Sequence, residues 1–404
     1  MMRTFCAVRH SNDPRYYYGG LWSGNFYPAL RELGHETLES KTDLLPASRF
    51  MHIASDFTPE ELEMRARITE QILDEVRAAH RKQPLDLFLS YFYNSHFDPS
   101  GFEELRRLGI ASINFYCNST YQFQLVRDIS VNADFSWHTE RDADQLYLEV
   151  GARPVWVQMG ADPNVYHPIN GVTRKPVACF IGQRYADRDR KLAALVEAHV
   201  PVAIYGAGWG GELSPSIAEN VRSSTGSYLG RTQYPAGSLA SHTQAFCENI
   251  ERAGFLGGLL RSWKQLRYRC TTQRLLSRLS AFSKGRADSI PQTLAQYEIC
   301  LNFSNVWADG RPGSNLIPHV RLRDFEAPMC RSCYLTGHTE EIEEFYIVGK
   351  EIDTYRSCAE LIDKSRFYLA HPEAAEKLRA AGHERAFRDH TWKRRFEELF
   401  RKIG

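Results

Sequence analysis

Glu326 is the residue of this chain whose type and setting most clearly suggest chemistry. It lies in the segment Arg323-Asp-Phe-Glu-Ala-Pro-Met-Cys-Arg-Ser-Cys-Tyr-Leu-Thr-Gly337, which predicts a short helix with one embedded carboxylate, a turn and a buried strand ending in glycine. The two oxygens of a carboxylate can accept hydrogen bonds from two vicinal hydroxyl groups, and the N-terminus of a helix can bind an anion. The alternative is a helix-surface glutamate that pairs with a nearby arginine.

A glycine and two arginines follow the first predicted strand of the second half. Gly182, Arg184 and Arg188 come at or just after the end of the strand predicted at residues 177–182. A glycine at a strand end lets the backbone approach an anion, and an arginine can bind a phosphate with two hydrogen bonds. Because the carboxyl ends of parallel strands form the ligand crevice, this place favours phosphate binding. The alternative is surface pairing of the arginines with neighbouring aspartates.

A polar turn precedes the predicted helix of Glu326. Its sequence is Asp309-Gly-Arg-Pro-Gly-Ser-Asn315, which offers backbone amides and a hydroxyl group that can cradle a diphosphate. We therefore predict that Gly313, Ser314 and Asn315 contact phosphate. The alternative is an ordinary surface turn.

His96 and Asp98 are the candidates for proton transfer in the first half. They follow residues 86–92, an apolar run that predicts a strand buried on both faces of a parallel sheet. A histidine can act as a general base or as a hydrogen-bond partner because its pKa lies near working pH. The alternative is a structural histidine. Asn118, just past the next predicted strand, is a weaker candidate for a ligand contact.

An aromatic and glycine-rich segment, Tyr16-Tyr-Tyr-Gly-Gly-Leu-Trp22, follows the first predicted strand. Aromatic rings can stack on the apolar C–H faces of sugars. We therefore expect Tyr18, Gly19, Gly20 and Trp22 to contact a sugar. The alternative is a loop whose tyrosines pack against a neighbouring element.

No metal site is predicted. Asp142-Ala-Asp144 has the form of an Asp-x-Asp pair, but it lies in a predicted first helical turn, where acids are expected for the helix dipole alone. Cys330 and Cys333 lack the second pair that a zinc site requires. The cysteines are otherwise scattered, which predicts reduced thiols and a cytosolic protein.

Alternating strands and helices must position these residues, and this alternation predicts doubly wound α/β domains. Thr58 before Pro-Glu-Glu predicts the start of a long helix, and Gly34 predicts the end of an earlier one. The alternation restarts near residue 170. We therefore predict a first domain at residues 1–168, a second at residues 169–371 and final helices at residues 372–404.

A helical, basic insertion at about residues 211–286 interrupts the second domain. Arginines and lysines recur there among Leu, Phe, Trp263 and Tyr268, and residues 253–287 contain no acid. Residues 252–286 could therefore lie on an anionic membrane surface or bind an acidic polymer. The favoured interpretation is a cationic flap over the ligand crevice, with its charges solvated.

Composition predicts a folded protein without a general attraction to polyanions. The net charge is +1, so nucleic acid is not an expected partner. The N-terminus predicts a first strand rather than a secretory signal, and no run of about 18 apolar residues predicts a membrane span. We expect a cytoplasmic protein. Any contact with a membrane would be peripheral, at the inner face of that membrane.

Residues 321–396 resemble the C-terminal domain of the CgeB-like spore-maturation glycosyltransferases. The likeness rests on the segment containing Glu326 and on the tail Ala-Gly382-His-Glu-Arg-Ala-Phe-Arg-Asp-His390-Thr-Trp. It extends to residues 180–202 and 298–320, and it is only a general pattern in the first half. The resemblance implies the GT-B fold, in which two Rossmann-like domains face a cleft and the helices at residues 372–404 cross back to the first domain.

The resemblance also implies an activity. The chain would transfer a sugar, as hexosyltransferases do, from a nucleoside diphosphate sugar to a glycan such as a cell-surface polysaccharide, a lipid-linked acceptor or a protein. Neither a metal nor a further cofactor is implied. The predicted donor-binding residues are Gly182, Arg184, Arg188, Gly313, Ser314, Asn315, Arg321, Arg323 and Glu326, with the glutamate on the ribose. The residues expected on the acceptor side are Tyr18, Gly19, Gly20, Trp22 and Asn118.

One position departs from the pattern. Related transferases carry another acid eight residues before the ribose-binding glutamate, and this chain has Pro318 there. The donor-sugar contact and the stereochemical outcome therefore stay open, with retention expected by analogy alone. The alternatives to a transferase are a nucleotide-sugar epimerase or hydrolase of the same fold and a non-catalytic protein that binds polyanions.

Overall fold

Two α/β units make up the computed structural model, which describes residues 1–11, 20–210, 239–310 and 312–404. The first unit contains the described residues of Met1–Met159 together with Trp392–Gly404, and the second contains the described residues between Gly160 and Thr391. The chain therefore passes from one unit to the other after Met159, whereas the sequence predicted the boundary at residue 168.

The first unit is built on a six-stranded sheet in which all paired strands are parallel. Its strands are β1 Arg3–Ala7, β2 Glu36–Glu39, β3 Leu87–Ser90, β4 Ala111–Tyr116, β5 Phe135–His138 and β6 Pro154–Trp156. Their order across the sheet is β2-β1-β3-β4-β5-β6. The order reverses between β1 and β3, which is where ligands bind in doubly wound sheets.

Helices connect these strands. They are α1 Leu21–Glu32, α2 Leu45–Ser48, α3 Pro59–Lys82, α4 Gly101–Arg107, α5 Ser119–Gln122, α6 Arg127–Asn132 and α7 Asp144–Leu148. Thr58 caps α3 as predicted, since its hydroxyl accepts a hydrogen bond from the Glu61 amide while the Glu61 carboxylate accepts one from the Thr58 amide. Gly34 follows α1 with a φ of +79°, a conformation that glycine adopts without strain.

The second unit is built on a five-stranded parallel sheet with the order β13-β12-β9-β7-β8. The strands are β7 Lys175–Ile181, β8 Val202–Tyr205, β9 Tyr297–Leu301, β12 Cys333–Gly337 and β13 Asp353–Tyr355. A separate antiparallel pair consists of β10 Val306–Trp307 and β11 Leu316–Ile317. The order of the main sheet reverses between β7 and β9, so both sheets share one topology.

The helices of the second unit include most of the predicted insertion. They are α8 Arg188–Glu197, α9 Leu239–Leu279, α10 Ile290–Ala295, α11 Arg323–Met329, α12 Cys358–Ala370 and α13 Pro372–Asp389. The helix α9 is interrupted at Gly254, and residues 211–238 lie outside the described residues. The predicted alternation of strands and helices is confirmed, and no helix that the structure describes is long and apolar enough to cross a membrane.

The last helix, α14 Trp392–Ile403, belongs to the first unit. The Trp392 ring lies 5.0 Å from that of Phe26, and the Arg395 guanidinium donates to the Met159 carbonyl oxygen at 2.8 Å. The preceding helix α13 belongs to the second unit, where Arg379 contacts Glu298 of β9. The two helices of residues 372–404 are thus divided between the units.

Candidate functional site

The carboxyl ends of β7 and β9 form the most promising ligand site of the second unit. Gly182 directly follows β7, and Ser304 and Asn305 lie just beyond β9, where the strand order reverses. The backbone is tightly packed here. Gly206, with a φ of +122°, lies so close that an added Cβ would overlap the carbonyl oxygen of Gly182. Glycine is therefore required at position 206 beside the strand end.

Two arginines project from the segment that follows β7. The Arg184 amide donates to the Ala207 carbonyl oxygen at 3.0 Å, which fixes the backbone, while Nη1 of its side chain is buried without a hydrogen-bond partner among the described residues. Arg188 is held by a hydrogen bond from Nη1 to the Gln183 carbonyl oxygen at 2.8 Å and by the Phe180 ring. Oδ2 of the neighbouring Asp187 lies 3.0 Å from Nζ of Lys191.

Arg321 approaches the same strand ends from the other side. Its Nη2 donates to the backbone carbonyl oxygen of Asn305 at 3.1 Å, and the side-chain Nδ2 of Asn305 donates to Oδ2 of Asp187 at 2.7 Å. Nε of Arg321 is also buried without a partner in the described part of the chain. A buried N–H group without an acceptor is costly, so Arg184 and Arg321 both favour an anionic ligand that supplies oxygen atoms.

Asp324 fixes the start of α11. Its Oδ1 accepts hydrogen bonds from Tyr334 at 2.7 Å, Thr336 at 3.0 Å and Asn302 at 3.3 Å, and its Oδ2 accepts one from the Arg321 amide at 2.5 Å. Burial raises the pKa of this carboxyl group, and the hydrogen bonds oppose that rise. The network ties α11 to β9 and β12, and it orients the backbone at Arg321.

Glu326 is almost fully buried on α11, with 3% of its surface exposed. Its Oε2 lies 2.8 Å from Nη1 of Arg323. Pairing of Glu326 with a nearby arginine was the alternative to ribose binding that the sequence left open. Contact with a ribose stays a prediction for this carboxylate, which is held in place by Arg323.

Gly313, Ser314 and Asn315 lie in the turn between β10 and β11. The Ala308 amide donates to the Asn315 carbonyl oxygen at 2.8 Å, and a Cβ on Gly313 would come within 2.8 Å of Gln265 on α9. Asp309 of the same turn forms an ion pair with Arg261 of α9. The turn is therefore held against the insertion, whereas Arg321 is held at the strand ends by Asn305.

His96 lies in the first unit beyond β3 and is fully buried. Its Nδ1 accepts a hydrogen bond from the Tyr93 amide at 3.1 Å, so the ring proton belongs on Nε2, which lies 2.9 Å from the Ser48 hydroxyl oxygen. Burial lowers the pKa of His96 well below its usual value, and the nearby His10 lowers it further. Both ring nitrogens are thus engaged, which is the arrangement of a structural histidine.

This burial predicts a pH-dependent stability. The unfolded chain binds a proton on His96 near pH 6.5, while the folded chain keeps the imidazole neutral to lower pH. The contribution of His96 to the free energy of unfolding is therefore fully present above that pH. It decreases as the pH is lowered further, by at most about 1.4 kcal/mol per pH unit. Urea denaturation between pH 7 and pH 5 measures the slope, which His96→Gln should flatten. The exchange His167→Gln at an exposed histidine is the control, and equal slopes in wild type and His96→Gln would contradict the prediction.

The other predicted residues of the first unit have local partners. Asp98 lies 3.1 Å from Arg65, and it accepts hydrogen bonds from the amide and hydroxyl groups of Ser100. Burial would raise the pKa of Asp98, but the contacts with Ser100 and Arg65 outweigh it, and the pKa lies below its ordinary value. Oδ1 of the Asn118 side chain accepts a hydrogen bond from the Tyr121 hydroxyl group at 2.7 Å.

Trp22 is buried, with its ring 4.6 Å from that of Phe115, and it therefore belongs to the core of the first unit. Gly20 immediately precedes α1, where an added Cβ would approach the Arg9 guanidinium. Tyr18 and Gly19 lie outside the described residues.

The acidic pair at residues 142 and 144 does not converge on one point. Asp144 Oδ1 lies 2.7 Å from Nε2 of the buried His138, while the Asp142 side chain is exposed. Burial raises the pKa of the Cys330 and Cys333 thiols. Among the residues that the structure describes, no group of three His, Cys, Asp or Glu side chains is arranged to hold a metal ion.

The sequence reasoning missed Asp324, Asn302, Thr336 and Asn305. A signal for two of them was present, because Asn302 and Thr336 are polar residues near the ends of mainly apolar strand segments, Tyr-Glu-Ile-Cys-Leu-Asn302 and Cys-Tyr-Leu-Thr336. Polar side chains in that place of a parallel sheet indicate either a buried network or a ligand site. Asn305 is found only from the structure.

Comparisons with known proteins establish the fold. Residues 246–401 match the family model described as "Glycosyl transferase-like". No match was found among curated proteins. Solved structures align over the whole chain. Sucrose-phosphate synthase from Thermosynechococcus elongatus is 13% identical, with 100% of this chain and 99% of that chain covered and a TM-score of 0.59.

Two further structures give the same result. AviGT4, a glycosyltransferase involved in avilamycin A biosynthesis, is 15% identical over 100% of this chain and 98% of that chain, with a TM-score of 0.56. Anabaena HepE in complex with UDP is 10% identical over 100% and 99%, with a TM-score of 0.53. These likenesses show the GT-B fold with two Rossmann-like domains, which confirms the predicted fold class. The narrower resemblance to the CgeB-like group stays a prediction.

Proposed function

We propose that the protein transfers a sugar from a nucleoside diphosphate sugar to an acceptor hydroxyl group. The observation that carries this proposal is the pair of buried, unpartnered guanidinium N–H groups, Arg184 Nη1 and Arg321 Nε, on segments that border the point where the strand order of the second sheet reverses. A diphosphate supplies acceptor oxygens and negative charge for both. A uridine diphosphate sugar is the first donor to test, because Anabaena HepE, which shares the fold, has been solved in complex with UDP-glucose.

The proposed reaction forms a bond between the acceptor oxygen and the anomeric carbon. The bond from that carbon to the diphosphate oxygen breaks, its electron pair leaves with the diphosphate, and the acceptor hydroxyl loses its proton. Negative charge therefore grows on the diphosphate in the transition state. Arg184, Arg188 and Arg321 would stabilise it from fixed positions, which is the main electrostatic requirement of the step.

Glu326 is proposed to contact the ribose, with Arg323 holding its carboxylate and Asp324 orienting the helix beneath it. Gly182 would let the diphosphate approach the backbone after β7. Neither a metal ion nor a cofactor besides the donor is part of the proposal. The acceptor is proposed to be a glycan, a lipid-linked molecule or a protein.

A thermal-shift panel with UDP, GDP, dTDP, CMP and NADH tests the donor site. A ligand at 100 times its dissociation constant stabilises the folded protein by about 2.7 kcal/mol, which is visible as a higher melting temperature. We expect a shift with one nucleoside diphosphate and loss of that shift in Glu326→Ala. The exchange Arg331→Met is the control, because Arg331 precedes β12 at the amino ends of the strands. This variant should keep the shift.

No shift with any nucleoside diphosphate would contradict the donor site. The nucleoside diphosphate that binds then selects the sugar donors for turnover assays with and without candidate acceptors. Release of nucleoside diphosphate that depends on an acceptor supports a transferase. Consumption of the donor without an acceptor would instead show a hydrolase or an epimerase.

A further inference from the structure

The part of α9 that follows Gly254 has one side anchored in the second unit. Residues seven and eleven positions apart, which is close to two and three helical turns, form this side. Arg261 forms an ion pair with Asp309, the Tyr268 ring lies 5.2 Å from that of Trp307, and Leu279 is buried in the core. The orientation of the helix about its axis is therefore fixed.

A second side is covered by the part of α9 that precedes Gly254. The Asn249 side chain donates to the Ser262 hydroxyl oxygen at 3.0 Å and to the Gln265 side-chain oxygen at 3.1 Å. Gly258 allows this approach, because an added Cβ would lie 2.6 Å from the Ile250 Cα. The chain reverses at Gly254, where φ is 70° and ψ is 173°, so the two parts of α9 pack against each other.

The remaining side consists of large apolar residues, and we call it the outer face. Its apolar members are between 41% and 80% exposed. They are Phe255, Leu256, Leu259, Leu260, Trp263 and Leu266. Their spacing places them on one side of the helix, opposite the anchored residues. A contiguous apolar surface of this kind marks an interaction site, because single exposed apolar residues are normal but a cluster of them is not.

Cations continue the outer face toward the C-terminal end of α9. The Arg267 guanidinium lies 5.3 Å from the centre of the Trp263 ring, and Lys264 and Arg274 are exposed. No acidic residue occurs in residues 253–287. The methylene chain of an arginine can be buried against apolar groups while its guanidinium contacts phosphate, as in helices that lie in a membrane interface.

We propose that the outer face binds the surface of an anionic lipid membrane, with the helix lying in the plane of the interface. An acidic polymer would satisfy the cations but leave Leu256, Leu260 and Trp263 in water. A second copy of the chain would cover the apolar residues but bring two basic surfaces together. A membrane with anionic headgroups is the occupant that suits both parts. This inference does not depend on the proposed glycosyl transfer.

Vesicle sedimentation with the full chain tests the proposal. Vesicles of phosphatidylcholine with phosphatidylglycerol should bind the protein, vesicles of phosphatidylcholine alone should bind it more weakly, and added salt should reduce the difference. The triple exchange L256S/L260S/W263S should lower binding by about tenfold or more, because it removes the apolar insertion. The double exchange R267Q/R274Q should lower binding to anionic vesicles by about fivefold per cation removed.

The matched control is L148S/F387S, which removes two exposed apolar residues outside α9 and should leave vesicle binding unchanged. Absence of wild-type binding to anionic vesicles would overturn the proposal, and so would an equal loss in this control. Binding to heparin or polyphosphate without vesicle binding would show an acidic polymer as the partner. A dimer in analytical ultracentrifugation that L256S/L260S/W263S dissociates, without vesicle binding, would show a second copy instead.

Discussion

Replacement of Arg379 by methionine is expected to lower the free energy of unfolding by about 3–5 kcal/mol. Arg379 of α13 is 2% exposed, and its guanidinium contacts the Glu298 carboxylate and donates to the Glu298 carbonyl oxygen at 3.0 Å. It also donates to Glu376 at 2.9 Å. The exchange leaves the buried Glu298 carboxylate without its cation, and an uncompensated buried charge is costly. Urea denaturation followed by circular dichroism measures the loss.

Two further variants separate charge burial from side-chain size. Arg388→Met makes the same exchange at an exposed position of α13 and should leave the free energy of unfolding close to that of the wild type. The double variant R379M/E298L removes both charges, and it should recover most of the loss because an apolar pair can replace a buried ion pair at little cost. A single variant R379M as stable as R388M would contradict the prediction.

Local sequence signals were sufficient to predict the fold. Thr58 and Glu61 form a capping box within four residues, and Gly34 ends a helix through its own backbone conformation, so neither depends on distant contacts. The apolar runs that became β3 and β9 are buried throughout, as expected for central strands of parallel sheets. Alternation of such strands with helices leaves few topologies other than a doubly wound sheet.

The candidate site depends on contacts that the sequence does not show. Gly182, Arg184 and Arg188 were predicted as phosphate ligands because they follow a strand, and the structure places them beside the point where the strand order reverses. The position of Arg321, by contrast, depends on Asn305 and on the network around Asp324. Those contacts join residues from separate strands, and their partners can be identified only after the sheet order is known.

His96 shows why a residue type and a loop position are insufficient evidence for catalysis. Ser48, which contacts its Nε2, is 48 positions away in sequence, and His10 approaches it from the end of β1 with ring centres 4.4 Å apart. Neither neighbour could be inferred from the segment Tyr-Asn-Ser-His-Phe-Asp. A histidine surrounded in this way is favoured in its neutral form by burial, so tertiary packing decides its role.

The turn at residues 312–315 illustrates a related limit. Strands β10 and β11 contain two residues each, which is too short for a detectable period. Gly313 has a φ of +88° and packs beside Gln265, so its conformation and its contact with α9 both favour glycine. The sequence pattern of a phosphate-binding loop and that of a turn packed against a helix are the same here.

Replacement of Arg184 by methionine is expected to have the largest effect on turnover if the proposed function is correct. The guanidinium has a buried N–H group without a partner in the described structure, and a developing charge on the diphosphate would be its acceptor. Loss of one preorganised donor to a transition-state oxyanion costs about 10²–10³-fold in kcat. Methionine keeps much of the apolar stem, so the fold should persist. Steady-state release of nucleoside diphosphate measures the effect.

The comparison with Arg184→Lys and Arg331→Met determines what the arginine does. Lysine restores a positive charge but cannot form the two parallel hydrogen bonds of a guanidinium, so partial recovery is expected. Arg331 precedes β12, so it lies at the amino ends of the strands rather than at their carboxyl ends, and it pairs with Glu376 at 2.6 Å. Its exchange should leave kcat unchanged. If R184M stays within about threefold of wild type in kcat, electrostatic stabilisation by this residue is contradicted. If R184M loses nucleoside diphosphate affinity but keeps kcat, Arg184 binds ground state and transition state equally.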